Sequence, residues 1–239
     1  MGIELKTGVG VFAKYWLPGS VKTRLGKAIG MALAADLYQS LVATTVSRLS
    51  AVGDQRWVVF TPSSKQDEFD TLITQAAPTA NWDLIAQAEG DLGDRLYQFT
   101  LDAFLSVGRV ILLGTDSPDL PIAYVESAIG ALAVHDVVLG PADDGGYYLL
   151  GMKRPHAELF ASIPWSSSET LSATCRAATQ AGLSLHLLPP WYDVDDIDTL
   201  NRLWVSLKNV PGEPSPESSS NLPTLVERCL QVRRSDETC

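Results

Sequence analysis

Short apolar runs alternate along this chain with longer stretches whose apolar residues recur every three or four positions. That spacing distinguishes strands from helices. The runs predict strands at Val9–Ala13, Trp57–Thr61, Asp83–Gln87, Val110–Gly114, Val137–Gly140, Tyr147–Gly151 and Leu183–Leu188. The helical spacing predicts helices at Gly30–Leu49, Ser64–Ala76, Asp94–Val107, Ile122–Ala133, Glu169–Ala181 and Asp196–Lys208. In the first of these, Leu33, Leu37, Leu41, Val42, Val46 and Leu49 share a face. Val110–Gly114 is apolar throughout, as a strand covered on both faces must be. Strand alternating with helix predicts an α/β protein with a largely parallel, doubly wound sheet.

The alternation stops near residue 210. Pro211, Pro214, Pro216 and Pro223 then mix with Ser215 and Ser218–Ser220, which is linker chemistry. The expected organisation is one domain over 1–210, followed by a Pro/Ser-rich linker and short segment over 211–239. Within that segment Thr224–Arg234 has the composition of a short helix, with no sign of where it docks.

Composition narrows the function. Acids outnumber bases 28 to 18, for a net charge of −10. A nucleic-acid or anionic-membrane binder needs a positive surface, so neither partner is expected. No apolar run approaches a membrane span, and the first residues lack a secretory core. Cys175, Cys229 and Cys239 are scattered, so neither a zinc ribbon nor a disulfide framework is encoded. A cytoplasmic location is the expectation.

Against that negative charge, Leu5–Ala35 contains Lys6, Lys14, Lys22, Arg24 and Lys27 and no acid. The loop Lys14–Lys27 leaves the carboxyl end of the first strand, where open α/β sheets bind ligands. Pro18 and Gly19 mark a turn, and Gly19 lets backbone approach a ligand. Phosphate is the natural guest of such a loop. The phosphate-loop motif is absent, since Val21 stands where its first glycine belongs and Ala28 follows Lys27. Gly8-x-Gly10-x-x-Ala13 fits the dinucleotide fingerprint in letters only, because it lies inside the strand and Pro18 blocks the required helix.

Three acidic or glycine-rich segments follow later strands. Asp116 comes two residues after Val110–Gly114, placed to hold a hard divalent cation such as Mg2+ through carboxylate and substrate phosphates. Asp119, two residues before Pro121, reads as the cap of the next helix. Asp193 and Asp195 precede the last helix and offer a second metal ligand, while Asp196 and Asp198 suit its first turn. Asp143-Asp144-Gly145-Gly146 reads either as a plain hairpin turn or as a rim where backbone meets a sugar, base or acceptor. His135, His156 and His186 lack ligand spacing, and Ser166–Ser168 lacks a hydrolase elbow.

Five segments in this order carry a resemblance: Phe12-Ala-Lys14 with Pro18-Gly19 and Lys22-Thr-Arg24-Leu25, Gly90–Arg95, Gly114–Leu120, Gly140–Tyr148, and Asp193-Val-Asp195. Over roughly residues 8–205 the chain resembles the rSAM/selenodomain-associated transferase family, of the GT-A-like nucleotide-diphospho-sugar transferase fold. The resemblance implies a three-layer α/β fold with a mostly parallel sheet. Lys22–Leu25 and the Asp116 segment are also similar to 2-phospho-L-lactate guanylyltransferase and, more loosely, to molybdenum-cofactor guanylyltransferase. That likeness implies that Lys22 and Arg24 hold nucleotide phosphates and that Asp116 binds Mg2+ or Mn2+, with Asp195 or Asp193 completing the metal site. Tyr15-Trp16 and Asp196 depart from the pattern, which touches acceptor choice.

The expected activity is therefore transfer from a nucleotide donor to a small acceptor. Nucleotidyl transfer to a phosphorylated acceptor leads, glycosyl transfer from a nucleotide-sugar is the alternative, and a non-catalytic nucleotide-binding module is a further one. Lys22, Arg24 and Asp116 are the expected catalytic residues. Lys14, Gly19, Lys22, Arg24, Thr115, Gly145 and Gly146 are the expected nucleotide contacts, and Asp116, Asp193 and Asp195 the expected metal ligands.

Overall fold

A computed structural model describes residues 5–208 and 221–236. Among these residues, seven strands form one sheet: β1 Thr7–Lys14, β2 Gln55–Thr61, β3 Asp83–Ala86, β4 Arg109–Leu113, β5 Val137–Pro141, β6 Tyr147–Met152 and β7 Leu185–Leu187. Their order is β3-β2-β1-β4-β6-β5-β7. All neighbours run parallel except around β6, which is antiparallel to both β4 and β5. The turn between β5 and β6 is closed by Ala142 N–H to Gly146 O at 3.0 Å, as the Asp-Gly signal predicts.

Among the described residues, eight α-helices accompany the sheet: α1 Thr23–Ile29, α2 Met31–Arg48, α3 Gln66–Ala76, α4 Leu92–Ala103, α5 Ile122–Ala131, α6 Thr170–Gln180, α7 Ile197–Lys208 and α8 Leu222–Asp236. Each expected strand and helix is present, with ends shifted by a few residues. Helix α1, inside the basic segment, is the element that the pattern does not predict. Ser64 and Asp67 form no cap for α3, which follows a 3-10 turn at Ser63–Lys65. Helix α4 starts two residues early because Asp91 and Asp94 close a reciprocal capping box.

Alternation along β1 fills both faces. Val9, Val11, Ile111, Leu113 and Val138 pack under α5 on one face, and Leu112, Leu139, Leu150 and Met152 meet Phe99 and Ala178 on the other. Gly8 and Gly10 point to the second face, where an added Cβ would lie 2.2 Å from the Trp57 ring and 2.6 Å from Phe99. Aromatic packing, not a dinucleotide, explains this glycine pair.

Helix α8 is seated rather than loose. Leu222, Leu225, Val226, Cys229 and Leu230 are buried with Leu37 and Leu41 of α2 and Leu200 and Leu203 of α7. The helix expected at Thr224–Arg234 thus begins earlier and belongs to the domain's own core. The linker reading at 209–220 lies outside the described residues. Among the described residues, no helix is long and apolar enough to cross a membrane.

Candidate functional site

The carboxyl ends of β1 and β4, the β5–β6 turn and the loop after β7 meet at one edge of the sheet. An open cleft of ≈ 830 Å³ lies there, lined by Lys14, Lys22, Arg24, Thr115, Asp116, Gly146, Asp193 and Asp195 among others. Sequence positions from 14 to 195 therefore converge as expected. Gly19 and Gly145 are not among the lining residues. Gly145 serves the protein: its φ is +90°, and a Cβ there would come within 2.2 Å of the Ser168 carbonyl oxygen.

Lys22 is the centre of the site. It precedes α1 in the left-handed region, with φ 46° and ψ 42°, an uncommon conformation for a lysine. Its ammonium lies 2.5 Å from Asp116 Oδ1 and 2.9 Å from Asp195 Oδ1. The Lys22 side chain is 3% exposed, against 43% for Asp116. Burial alone would lower the Lys22 pKa, but the charges of Asp116 and Asp195, with hydrogen bonds to both, outweigh it and raise it. Lys22 is thus a fixed internal counter-charge.

Arg24 is different. Its guanidinium donates to Asp195 Oδ2 at 2.6 Å, yet the side chain is 64% exposed and retains donors toward the cleft. Asp195 is held below the usual carboxylate range: burial raises its pKa, but Lys22 and Arg24 together lower it further.

Asp193 and Asp195 have separate surroundings. Asp193 accepts from the Ser117 hydroxyl at 2.7 Å, and its carboxyl is pushed up to about 6 by burial and then by the charge of Asp116. The Val194 amide between them donates to the Asp116 carbonyl at 2.8 Å, tying the β7 loop to the end of β4.

The donor set tests the expected metal. Asp116 and Asp193 offer two mutually repelling carboxylates beside the cleft, a pairing that a divalent cation relieves and that suits Mg2+ or Mn2+ completed by water and phosphate. Asp195 does not fit that role here, because Lys22 and Arg24 use both its oxygens. Among the described residues, no cluster of three or more metal-ligating side chains occurs.

Asp119 is not a cap. Pro121 stands at the start of α5 without a side-chain cap bond, and Asp119 instead accepts from Tyr192 Oη at 2.6 Å and Trp191 Nε1 at 3.4 Å. It braces the loop after β7 through these two aromatic side chains. Asp196 does cap α7, accepting from Thr199 N–H at 2.9 Å.

Tyr38 escapes a reading of the sequence. Its buried hydroxyl accepts from the Lys14 amide at 3.1 Å and the Thr115 hydroxyl at 3.0 Å, so one phenol joins the ends of β1 and β4. Along α2 it looks like one more apolar-face residue. Only the junction of two strand ends reveals it.

Comparison with known proteins identifies the family and the fold. The family model described as "uncharacterized protein conserved in bacteria" (DUF2064) matches residues 44–167. A candidate nucleotide-diphospho-sugar transferase of Desulfovibrio desulfuricans G20 is 31% identical, with a TM-score of 0.83 over 96% of this chain and 97% of that one. A cytidylyltransferase from Leptospira borgpetersenii serovar Hardjo-bovis, 11% identical, shares the fold at a TM-score of 0.55 over 98% and 96% of the two chains. Rv0371c of Mycobacterium tuberculosis H37Rv, a manganese complex, is 14% identical with a TM-score of 0.50 over 83% and 97%. No curated protein matches the chain. The fold is the three-layer α/β fold of the nucleotide-diphospho-sugar transferases.

Proposed function

This chain belongs to the DUF2064 family, and from that premise and the geometry of the cleft we propose that it is a metal-assisted transferase with a nucleotide donor. Our reading is nucleotidyl transfer: a nucleoside triphosphate and a phosphorylated small acceptor as substrates. The observation that carries it is the buried Lys22 ammonium bridging Asp116 and Asp195 at the cleft, with Arg24 exposed beside it.

Each group has a task in this reading. Lys22, together with Arg24, offsets the charges of Asp116 and Asp195, so an anionic donor does not meet two bare carboxylates. Arg24 and Lys14 contact the phosphates, Arg24 with the planar fork suited to them. Thr115, fixed through Tyr38, holds the end of β4 where the donor lies. Mg2+ or Mn2+, held by Asp116 and Asp193, would supply charge screening on the phosphates. Preorganised cations facing developing charge account for catalysis without a protein nucleophile. We assign the chain to the rSAM/selenodomain-associated branch on its five ordered segments.

Glycosyl transfer from a nucleotide-sugar is the second reading, favoured by the 31% identity to the Desulfovibrio protein. One assay separates them. With Mg2+ or Mn2+, each nucleoside triphosphate is offered with a panel of sugar phosphates, and each nucleotide-sugar with a panel of sugars. Pyrophosphate release in the first arm supports nucleotidyl transfer. Nucleoside diphosphate release in the second supports glycosyl transfer, and release of neither product in either arm overturns the catalytic reading.

A further inference from the structure

The cluster around Lys22 accounts for only part of the cleft. Another part of its lining is Trp165 with Ser166, Ser167 and Ser168, in the loop before α6. Apart from the basic-loop residues and Asp116, Asp193 and Asp195, the described charges lining the cleft are Arg95 and Asp144. Arg95 donates to the Gly90 carbonyl at 2.9 Å and to Gln87 Oε1 at 3.4 Å. Asp144 is an acid, unfavourable to a second anionic group.

The serine loop is built to hold one shape. Ser166 sits at φ +58°, a region that side chains rarely adopt. Ser167 bonds the Pro164 carbonyl at 2.7 Å, and Thr170 bonds the same oxygen at 2.8 Å. The Ser168 backbone lies against Gly145, and the Leu171 amide donates to the Gly145 carbonyl at 2.9 Å. The Trp165 indole rests on Gly93, where an added Cβ would come within 2.4 Å of Nε1. Its ring also meets Tyr147 edge-on, centroids 6.3 Å apart. Two glycines with no room for a side chain thus fix the loop to the turn after β5 and to the start of α4. The Ser166 and Ser168 hydroxyls, unlike that of Ser167, make no hydrogen bond among the described residues and are exposed at the cleft.

We propose that Trp165, Ser166 and Ser168 form a subsite for the hydroxylated body of the acceptor, a sugar or cyclic polyol. The assignment of this ligand as acceptor rests on the transferase reading above. A pyranose or inositol ring offers an apolar C–H face for the indole and hydroxyls that match serine as both donor and acceptor. A ligand recognised mainly by negative charge gains little net attraction here, since the nearby charges, Arg95 and Asp144, are of opposite sign. An acceptor phosphate would instead face the Lys14–Arg24 side of the cleft.

The test measures binding by saturation-transfer NMR. The probes are glucose 1-phosphate and myo-inositol, with phosphoenolpyruvate as an anion lacking a polyol body. They are added to wild type, Trp165→Ala, Trp165→Phe and Ser166→Ala/Ser168→Ala. Nucleotide affinity of each variant is measured separately by calorimetry. The expected result is binding of both hydroxylated probes to wild type, weakened tenfold or more by Trp165→Ala and severalfold by the double serine change. Trp165→Phe should retain most of the binding, and nucleotide affinity should stay within twofold throughout. Failure of both hydroxylated probes to bind wild type overturns the subsite, as does unchanged probe affinity in Trp165→Ala. Phosphoenolpyruvate binding that depends on Trp165 as strongly as glucose 1-phosphate does also overturns it. If wild type binds the polyols through Trp165 but binds no nucleotide, the subsite stands and the transferase reading fails.

Discussion

Lys22 Nζ and Asp195 Oδ1 lie 2.9 Å apart although 173 residues separate them in the chain. This contact joins the first βα loop to the loop after the last strand. It also gives Lys22 a structural task besides any contact with a donor. Removing the ammonium leaves Asp116 and Asp195 facing each other without their shared counter-charge. Lys22→Met should therefore destabilise the protein by about 1–3 kcal/mol, below the range for fully buried pairs because both carboxylates are partly solvated. Denaturant unfolding of Lys22→Met, Asp195→Asn and the double variant checks this. The double variant should lose less than the sum of the two single changes.

Asp193 gives the metal-free protein a distinct pH dependence. Its carboxyl titrates near 6 when folded and near 3.8 when unfolded, so the folded state binds the proton more tightly. Its contribution to stability is most favourable below pH 4 and is lost as pH rises through 6. Asp193→Asn removes that loss. The variant should be more stable than wild type at pH 7.5 by about 1–3 kcal/mol, with the difference vanishing below pH 4. Thermal unfolding of both proteins from pH 4 to 8, with chelator present, measures it.

The carboxyl-terminal helix is predicted to be part of the folding unit. Leu222 is 1% exposed and packs into the cluster shared by α1, α2 and α7. Leu222→Ala should cost about 2–3 kcal/mol, the low side for a buried leucine because the site lies at the domain's rim. Deleting residues 209–239 should lower the melting temperature more than that single change. A truncated protein as stable as the full chain would contradict this packing.

Much of this architecture is legible in the sequence because strands buried on both faces leave an unambiguous signal. Val110–Gly114 and Val137–Gly140 are of that kind. The convergence of Lys22, Arg24, Asp116, Asp193 and Asp195 is legible too, since acids and bases after strand ends must gather at one sheet edge if the strands are parallel. Partner choice is not legible. Nothing local distinguishes Asp193, paired with Ser117, from Asp195, paired with Lys22 and Arg24, because both partners are remote in sequence. Asp119 has the spacing of a cap, yet tertiary contacts with Tyr192 and Trp191 claim it. Helix α8 hides behind a Pro/Ser-rich stretch, and its apolar face is short enough to pass for an isolated segment.

Asp119→Asn serves as a control for Asp116 and Asp193, the acids proposed to hold the cation. Its hydrogen bond from Tyr192 becomes one to a neutral acceptor, which should cost about 1 kcal/mol of stability. Nucleotide affinity, with or without Mn2+, should not change. A loss of the metal-dependent increment in this variant would mean that Asp119, rather than Asp116, faces the cation.

In the proposed mechanism, Asp116 joins a divalent cation to the donor's phosphates beside Lys22. Calorimetric titration of the four nucleoside triphosphates into wild type and Asp116→Asn, each with and without Mn2+, tests it most directly. For the triphosphate that binds wild type, Mn2+ should raise affinity tenfold or more, and Asp116→Asn should abolish that increment while unfolding within a few degrees of wild type. Retention of the full Mn2+-dependent increment by Asp116→Asn would contradict the account.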